Sequence, residues 1–377
     1  MQKHSFANGL SPWGAVAILL VFYISANGIF SFAYGLGPDG FLAQLIGFGM
    51  AAPLLLIFAR LAQILPGMNL YDMLDYSFGR WIAWVLSLFY TLYFISLTAV
   101  AQVQYAAFIR LVSLVNTPLL VILLAFFALS AYLAKSGVQT LGKWSLLIGA
   151  VSVIFTLGLT LLAIPNMRFE HLLPIGTNTP ASMLRSGGKF AVFPLGEAVV
   201  ILALFGRLEK AEKPYKLFFF GALFALLFFL LTFFRDTAIL GTALLDMLHY
   251  PSFTAAGVVQ IGAIGGRVDI FFAGLMLLTG LTKAAICLIA ANRGVRRMFS
   301  LSDEHALLLP LGFFSVGLSA VLFPNLAELF AHPSVHVYYA PLFQGVIPGL
   351  LWLLAEWKVR RKPPLTAYAG QTAGSCD

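Results

Sequence analysis

Charge is what this 377-residue chain has least of. Asp, Glu, Lys and Arg make up only 10% of it, against roughly 25% in soluble domains. A chain so poor in charge cannot face water all round, which excludes a soluble globular protein. Cysteine is nearly missing as well. Cys287 and Cys376 are the only two, too few for a disulfide framework. The six histidines show no metal-ligand spacing and read as lying near span ends or in loops. The sequence has no phosphate-cradling loop, nucleophile elbow or cluster of carboxylates. Nothing in it points to an enzyme or implies a cofactor.

What is present is apolar. Hydrophobic residues make up 60% of the chain, Phe alone contributes 35, and the mean hydropathy is +0.92. The length suits about ten membrane spans of roughly 20 residues plus loops. The net charge of +8 reads as basic cytoplasmic loops, not as a nucleic-acid patch; the lipid bilayer is the implied partner. The apolar run Ala15–Ile24 imitates a signal peptide, but it continues into further spans and is expected to stay.

The spans are expected at about 12–36, 41–64, 81–112, 117–133, 144–164, 187–206, 217–240, 269–292, 306–323 and 338–357. A short polar helix is expected over 69–80. Gly241–Gly266 is apolar enough for an eleventh span, and charge decides against it. With ten spans and both termini inside, sixteen of the 23 Lys and Arg residues fall on the inner side and five on the outer. An eleventh span would put the Arg293–Arg297 cluster and the C-terminal basic cluster outside, against the positive-inside rule. Gly241–Gly266 is therefore expected as an outer loop with short helices. The whole reads as one domain over residues 1–360, with halves at about 12–164 and 187–357 and a disordered cytoplasmic tail at 361–377.

One span breaks the pattern. Gly187–Gly206 holds Phe193-Pro194-Leu195-Gly196-Glu197. Pro removes a backbone donor, Gly adds freedom, and a carboxylate inside a span costs about 2.5–3.5 kcal/mol on insertion scales. Two readings stand: a proline kink with Glu197 reaching for an interface, or a discontinuous helix whose unwound centre faces a ligand. Span 1 is interrupted as well, at Ser25-Ala26-Asn27-Gly28-Ile29. Five spans per half is an odd number, so the second half enters the membrane from the opposite side. Interrupted helices in corresponding positions of two inverted halves point to a binding site. The fold class expected is an all-α polytopic membrane protein of ten transmembrane helices, a 5+5 inverted repeat with discontinuous helices 1 and 6.

Glu197 and Lys283 are the two charges placed deepest. Lys283 is fourteen residues past Asp269 and ten before Arg293, near mid-depth at 1.5 Å per residue. Both should face the protein interior. They pair with each other or with freed backbone carbonyls; Lys283 could also stand in for a bound cation. A purely structural pair is the alternative. Tyr93 and Leu97 in span 3, and Thr279 and Cys287 one turn either side of Lys283, would line the same site or serve as packing. Arg235 and Asp236 are adjacent, so on a helix they point about 100° apart and read as anchors at the outer interface.

Phe193-Pro194-Leu195-Gly196-Glu197 resembles the Phe-Pro-Phe-Gly-Glu signature of the spore germination permeases. These are the B subunits of bacterial spore germinant receptors, within the amino acid–polyamine–organocation superfamily. Leu36-Gly37-Pro38-Asp39-Gly40, Leu65-Pro66-Gly67, Phe78-Gly79, Arg267-Val268-Asp269 and Leu281-Thr282-Lys283 agree in order and spacing. Leu195 departs from the signature's aromatic. The resemblance implies a small germinant, often an amino acid, bound between broken helices 1 and 6. It also implies a membrane-anchored A subunit and a lipoprotein C subunit as partners, in the inner membrane of the spore, and sensing in place of pumping. An amino acid or amine permease is the alternative on the same scaffold.

Overall fold

Inside a bilayer no water can satisfy the backbone, so long apolar runs must close their hydrogen bonds within helices. The computed structural model describes residues 10–27, 35–204, 214–259, 268–303, 305 and 307–361, and its regular elements there are helical throughout. In chain order they are α1 (Pro12–Asn27), α2 (Gly40–Ile64), α3 (Leu70–Phe78), α4 (Arg80–Val112), α5 (Leu119–Lys135), α6 (Gly137–Ala163), α7 (Pro180–Val192), α8 (Val199–Leu204) and α9 (Pro214–Leu240). They continue as α10 (Thr242–Met247), α11 (Pro251–Val258), α12 (Val268–Phe299), α13 (Leu308–Leu322), α14 (Leu326–Pro341) and α15 (Ile347–Arg361).

Seven helical stretches among the described residues are long and apolar enough to cross a membrane. Three shorter apolar helices, Pro12–Ala26, Leu119–Lys135 and Leu308–Leu322, fall on the remaining expected spans. Burial separates the interior from the lipid face. In α12 the whole run Thr282–Asn292 is buried, as for a helix enclosed on all sides. It packs along α4, and α1 packs on α6, α9 and α12. Trp81, Ile154, Phe271 and Val321 are more than two-thirds exposed, which suits side chains turned to lipid.

Helix 6 is broken where the sequence is costly. Its first half begins at Pro180, before Gly187, with Thr179 Oγ1 accepting from the Ser182 amide at 3.3 Å. It ends at Val192; Phe193 is extended, a tight turn spans Leu195–Ala198, and helix resumes at Val199. Helix 1 is described as far as the Asn27 backbone; Gly28 and Ile29 lie outside the described residues, as do the tail beyond Arg361 and Cys376. Thr242–Met247 and Pro251–Val258 are the short helices expected after Gly241.

Two expectations need correction. The last span begins at Leu326, not near Tyr338, and runs to Arg361 through a wide π-turn at Leu342–Val346. His332 and His336 therefore lie within a helix, both buried. Arg235 and Asp236 are not interface anchors pointing apart. Both are buried, and Arg235 Nε donates to Asp236 Oδ1 at 2.8 Å. The Arg235 side chain is long enough to fold back on its neighbour. Ser252 of α11 donates to the other Asp236 oxygen, fastening the covering segment to α9.

Candidate functional site

The break in helix 6 points Glu197 into the protein, where it is wholly buried. Its Oε2 accepts from Lys283 Nζ at 2.7 Å. Lys283 is only 3% exposed. Its ammonium also lies 4.9 Å from the Phe22 ring centre and 5.1 Å from that of Phe193. That is a cation held between two aromatic rings and neutralised by a carboxylate. One ring comes from helix 1, the other and the carboxylate from helix 6, and the lysine from α12. The pair thus joins three elements.

Side chains from α1 and α4 complete the wall. Tyr23 donates to the Leu195 carbonyl at 3.1 Å, and Tyr105 to the Ser25 carbonyl at 2.6 Å. Ser25 Oγ bonds back to Phe22 O at 2.7 Å. Tyrosines thus take up a carbonyl at the break of helix 6 and one near the described end of α1. This agrees with the rule that irregular backbone at membrane depth survives only where protein satisfies it.

The last span, α14 with the π-turn that follows it, supplies residues that the sequence reading missed. His336 Nε2 lies 3.6 Å from Glu197 Oε1, and both side chains are fully buried. The His336 ring meets Phe193 edge-on at 5.4 Å, and its Nδ1 lies 3.0 Å from the Tyr339 hydroxyl. Gln344 projects from the π-turn, donates to the Tyr93 hydroxyl at 2.8 Å, and abuts Gly196 where a Cβ would stand. A side chain at Gly196 has no room. Neither Glu197 Oε1 nor Gln344 Oε1 has a hydrogen-bond partner among the described residues. Two unsatisfied acceptors deep in a protein are costly, and π-turns often mark functional positions. The signal that could have found them is a trio of polar residues, His332, His336 and Gln344, at helical spacing in an otherwise apolar stretch.

Of the expected site residues, Phe193, Glu197 and Lys283 come into direct contact, as do Tyr93 and Gly196 through Gln344. Leu195 contributes its carbonyl and Ser25 its own. Pro194 forms the start of the turn. Ala26, Leu97 and Cys287 are buried, Cys287 as a free thiol. Thr279 stands beside the Tyr105 hydroxyl. Its hydroxyl bonds to Met276 O, and it borders a cavity of about 30 Å³ with Ile24, Ser152, Thr156, Thr232 and Ser252. That is room for about two waters.

A second motif residue has a positioning role. Asp39, at the start of helix 2, is buried and accepts from the amides of Gly176 (2.6 Å), Thr177 (3.0 Å) and Asn178 (3.0 Å). Those amides belong to the loop that leads into α7. The carboxylate therefore ties the start of α2 to the entry of α7, the first half of the broken helix.

Known proteins resemble this chain in sequence and in fold. The sequence model of a family described as "Spore germination protein" matches residues 15–324. Spore germination protein KB of Bacillus subtilis (strain 168) is 23% identical over 314 residues, covering 81% of this chain and 83% of that protein. Spore germination protein B2 of the same organism is 22% identical over 309 residues, 80% of this chain and 82% of its own length. Among solved structures, the nucleobase-cation-symport-1 family transporter Mhp1, closed with bromovinylhydantoin bound, superposes with a TM-score of 0.62 at 14% identity. It covers 95% of this chain and 81% of its own. A mutant of the manganese transporter of Eremococcus coleocola gives 0.57 at 15% identity, covering 100% and 91%. At such identities the likeness is one of fold. A polytopic helical chain whose sixth helix breaks around a buried Glu–Lys pair, matched along most of its length, belongs to the spore germination protein family.

Proposed function

We propose that this chain is the nutrient-sensing B subunit of a spore germinant receptor. It binds a small amino-acid-like germinant between the interrupted helices 1 and 6 and passes the signal to an A subunit and a lipoprotein C subunit. Its place is the inner membrane of the spore, with both termini cytoplasmic and two inverted halves of five helices meeting at the site. The observation that carries this reading is the buried Glu197–Lys283 pair at the break of helix 6, with an unsatisfied carboxylate oxygen beside it. Broken helices offer amides to a carboxylate and carbonyls to an ammonium group; here Tyr23 and Tyr105 hold the Leu195 and Ser25 carbonyls until the pair loosens. Because Lys283 and Gln344 fill the space at the break, a germinant enters only if the pair loosens. Binding and conformational change are then one event, as a sensor requires.

Transport by the same residues is the second reading, favoured by the superposition on transporters. Uptake of radiolabelled amino acids into proteoliposomes separates the two. The sensor reading expects binding without gradient-driven accumulation. Saturable accumulation would replace it with a permease. In spores, Glu197→Gln and Lys283→Met are each expected to blunt the germinant response. Normal responses from both would reduce the pair to a structural brace.

A further inference from the structure

Helices α2 and α9 run antiparallel and are in contact, with Phe58 beside Phe218 (6.0 Å between ring centres) and Phe48 beside Phe229 (6.1 Å). Between them lies an open apolar groove of about 630 Å³. One end is bounded by Phe48 and Leu226, the other by Ala59, Tyr215 and Lys216. Phe48 to Ala59 is eleven residues, or about 16 Å of helix. This is close to half of a hydrocarbon core of roughly 30 Å, so the groove is one leaflet deep. Its walls are apolar along that length, and cationic and phenolic groups stand only at its mouth. Lys216 is exposed there and enters no ion pair among the described residues, whereas nearby Arg60 is bound by Glu356 at 2.7 Å. A groove of about 650 Å³ on the other flank of α9, among α1, α6 and α9, has Trp13 and no basic side chain in its lining.

We propose that the α2–α9 groove is a binding site for one anionic phospholipid, its acyl chain along Phe48–Ala59 and its phosphate at Lys216 and Tyr215. The length matches a single leaflet, and the sign of the charge at the mouth selects an acidic headgroup. A partner's transmembrane helix fits less well. Helix-docking faces are enriched in small residues; this groove has Ala52, Ala59 and Ala222 but is walled as much by Phe48, Phe218, Phe219 and Phe220. The site is independent of the germinant site, from which it is separate in residues.

The test is native mass spectrometry of the full-length protein in detergent, offered phosphatidylglycerol or phosphatidylcholine. The wild type is expected to retain phosphatidylglycerol preferentially. Lys216→Gln should cut that preference about fivefold, the factor one basic residue near an anionic headgroup supplies. Ala52→Phe adds bulk at an exposed position of the groove and should reduce retention of both lipids. Ala150→Phe, in the groove without a basic residue, should leave the preference intact. Equal retention of the two lipids by the wild type, or an unchanged preference in Lys216→Gln, would overturn the proposal. So would an Ala52→Phe protein that keeps its lipid but loses a co-purifying partner subunit, which would make the groove a helix-docking surface.

Discussion

Among the described residues, two ion pairs of a basic and an acidic side chain are buried, and they differ in what they connect. Arg235 and Asp236 are neighbours on one helix. Glu197 and Lys283 are 86 residues apart, on two helices. A pair within one helix travels with that helix and keeps its geometry whatever the rest of the fold does. A pair between helices exists only while they stand at one separation, so it can report movement. The surroundings differ in the same sense. Both Asp236 oxygens are engaged, one by Arg235 and one by Ser252. Glu197 has one oxygen bonded and one with no hydrogen bond, 3.6 Å from His336 Nε2. Arg235 Nη1 is unsatisfied too, so what sets the second pair apart is the free carboxylate oxygen and the two helices it joins.

The largest effects should come from removing half of either pair. Lys283→Met and Asp236→Asn each unbalance a buried charge and should lower stability by about 3–5 kcal/mol, read by denaturation in detergent. The loss at Lys283 should be partly recovered when its partner is neutralised as well, because Glu197→Gln with Lys283→Met removes two charges together. If the double variant is as unstable as Lys283→Met alone, the pair is not the unit described here. Next comes Asp39→Ala, which strips an acceptor from three loop amides. A loss of about 2–3 kcal/mol is expected, together with a weakened germinant response, since the loop it holds leads into α7. A stability loss with a normal response would make Asp39 a clamp and nothing more. Gly196→Ala places a methyl group against the Gln344 amide and the Ala191 carbonyl; overpacking of about 1–3 kcal/mol is expected. The smallest effect belongs to a third, part-exposed pair. Glu356→Gln releases Arg60, whose side chain is 38% exposed. The change should stay below about 1 kcal/mol and shrink further as salt rises. A larger, salt-independent loss there would mean that exposure is a poor guide to which pairs matter.

The parts of the site that the sequence made legible are those that are locally expensive. Pro194, Gly196 and Glu197 each oppose a membrane helix, so their coincidence marked the break without any knowledge of the fold. Lys283 was found by depth, from its distance to Asp269 and Arg293. His336 and Gln344 were hidden for the opposite reason. His332, Pro333 and Ser334 interrupt the apolar run, which leaves His336 outside a span expected at 338–357. The structure carries the helix back to Leu326 and sets His336 against Phe193 and Glu197. Arg235 and Asp236 were misread because a rule for side-chain direction was applied to a residue long enough to bend round it. What could not be read from sequence was the partner of each group, since pairing across 86 residues depends on how the helices assemble.

The measurement that bears most directly on the site is germinant-dependent thermal stabilisation of the wild type beside Glu197→Gln, across a panel of amino acids. Binding at the break predicts that at least one amino acid stabilises the wild type, by about 2.7 kcal/mol at 100 times its dissociation constant, and that Glu197→Gln loses most of that gain. An amino acid that stabilises both proteins equally would place its binding site elsewhere in the molecule and contradict the role given to the broken helix.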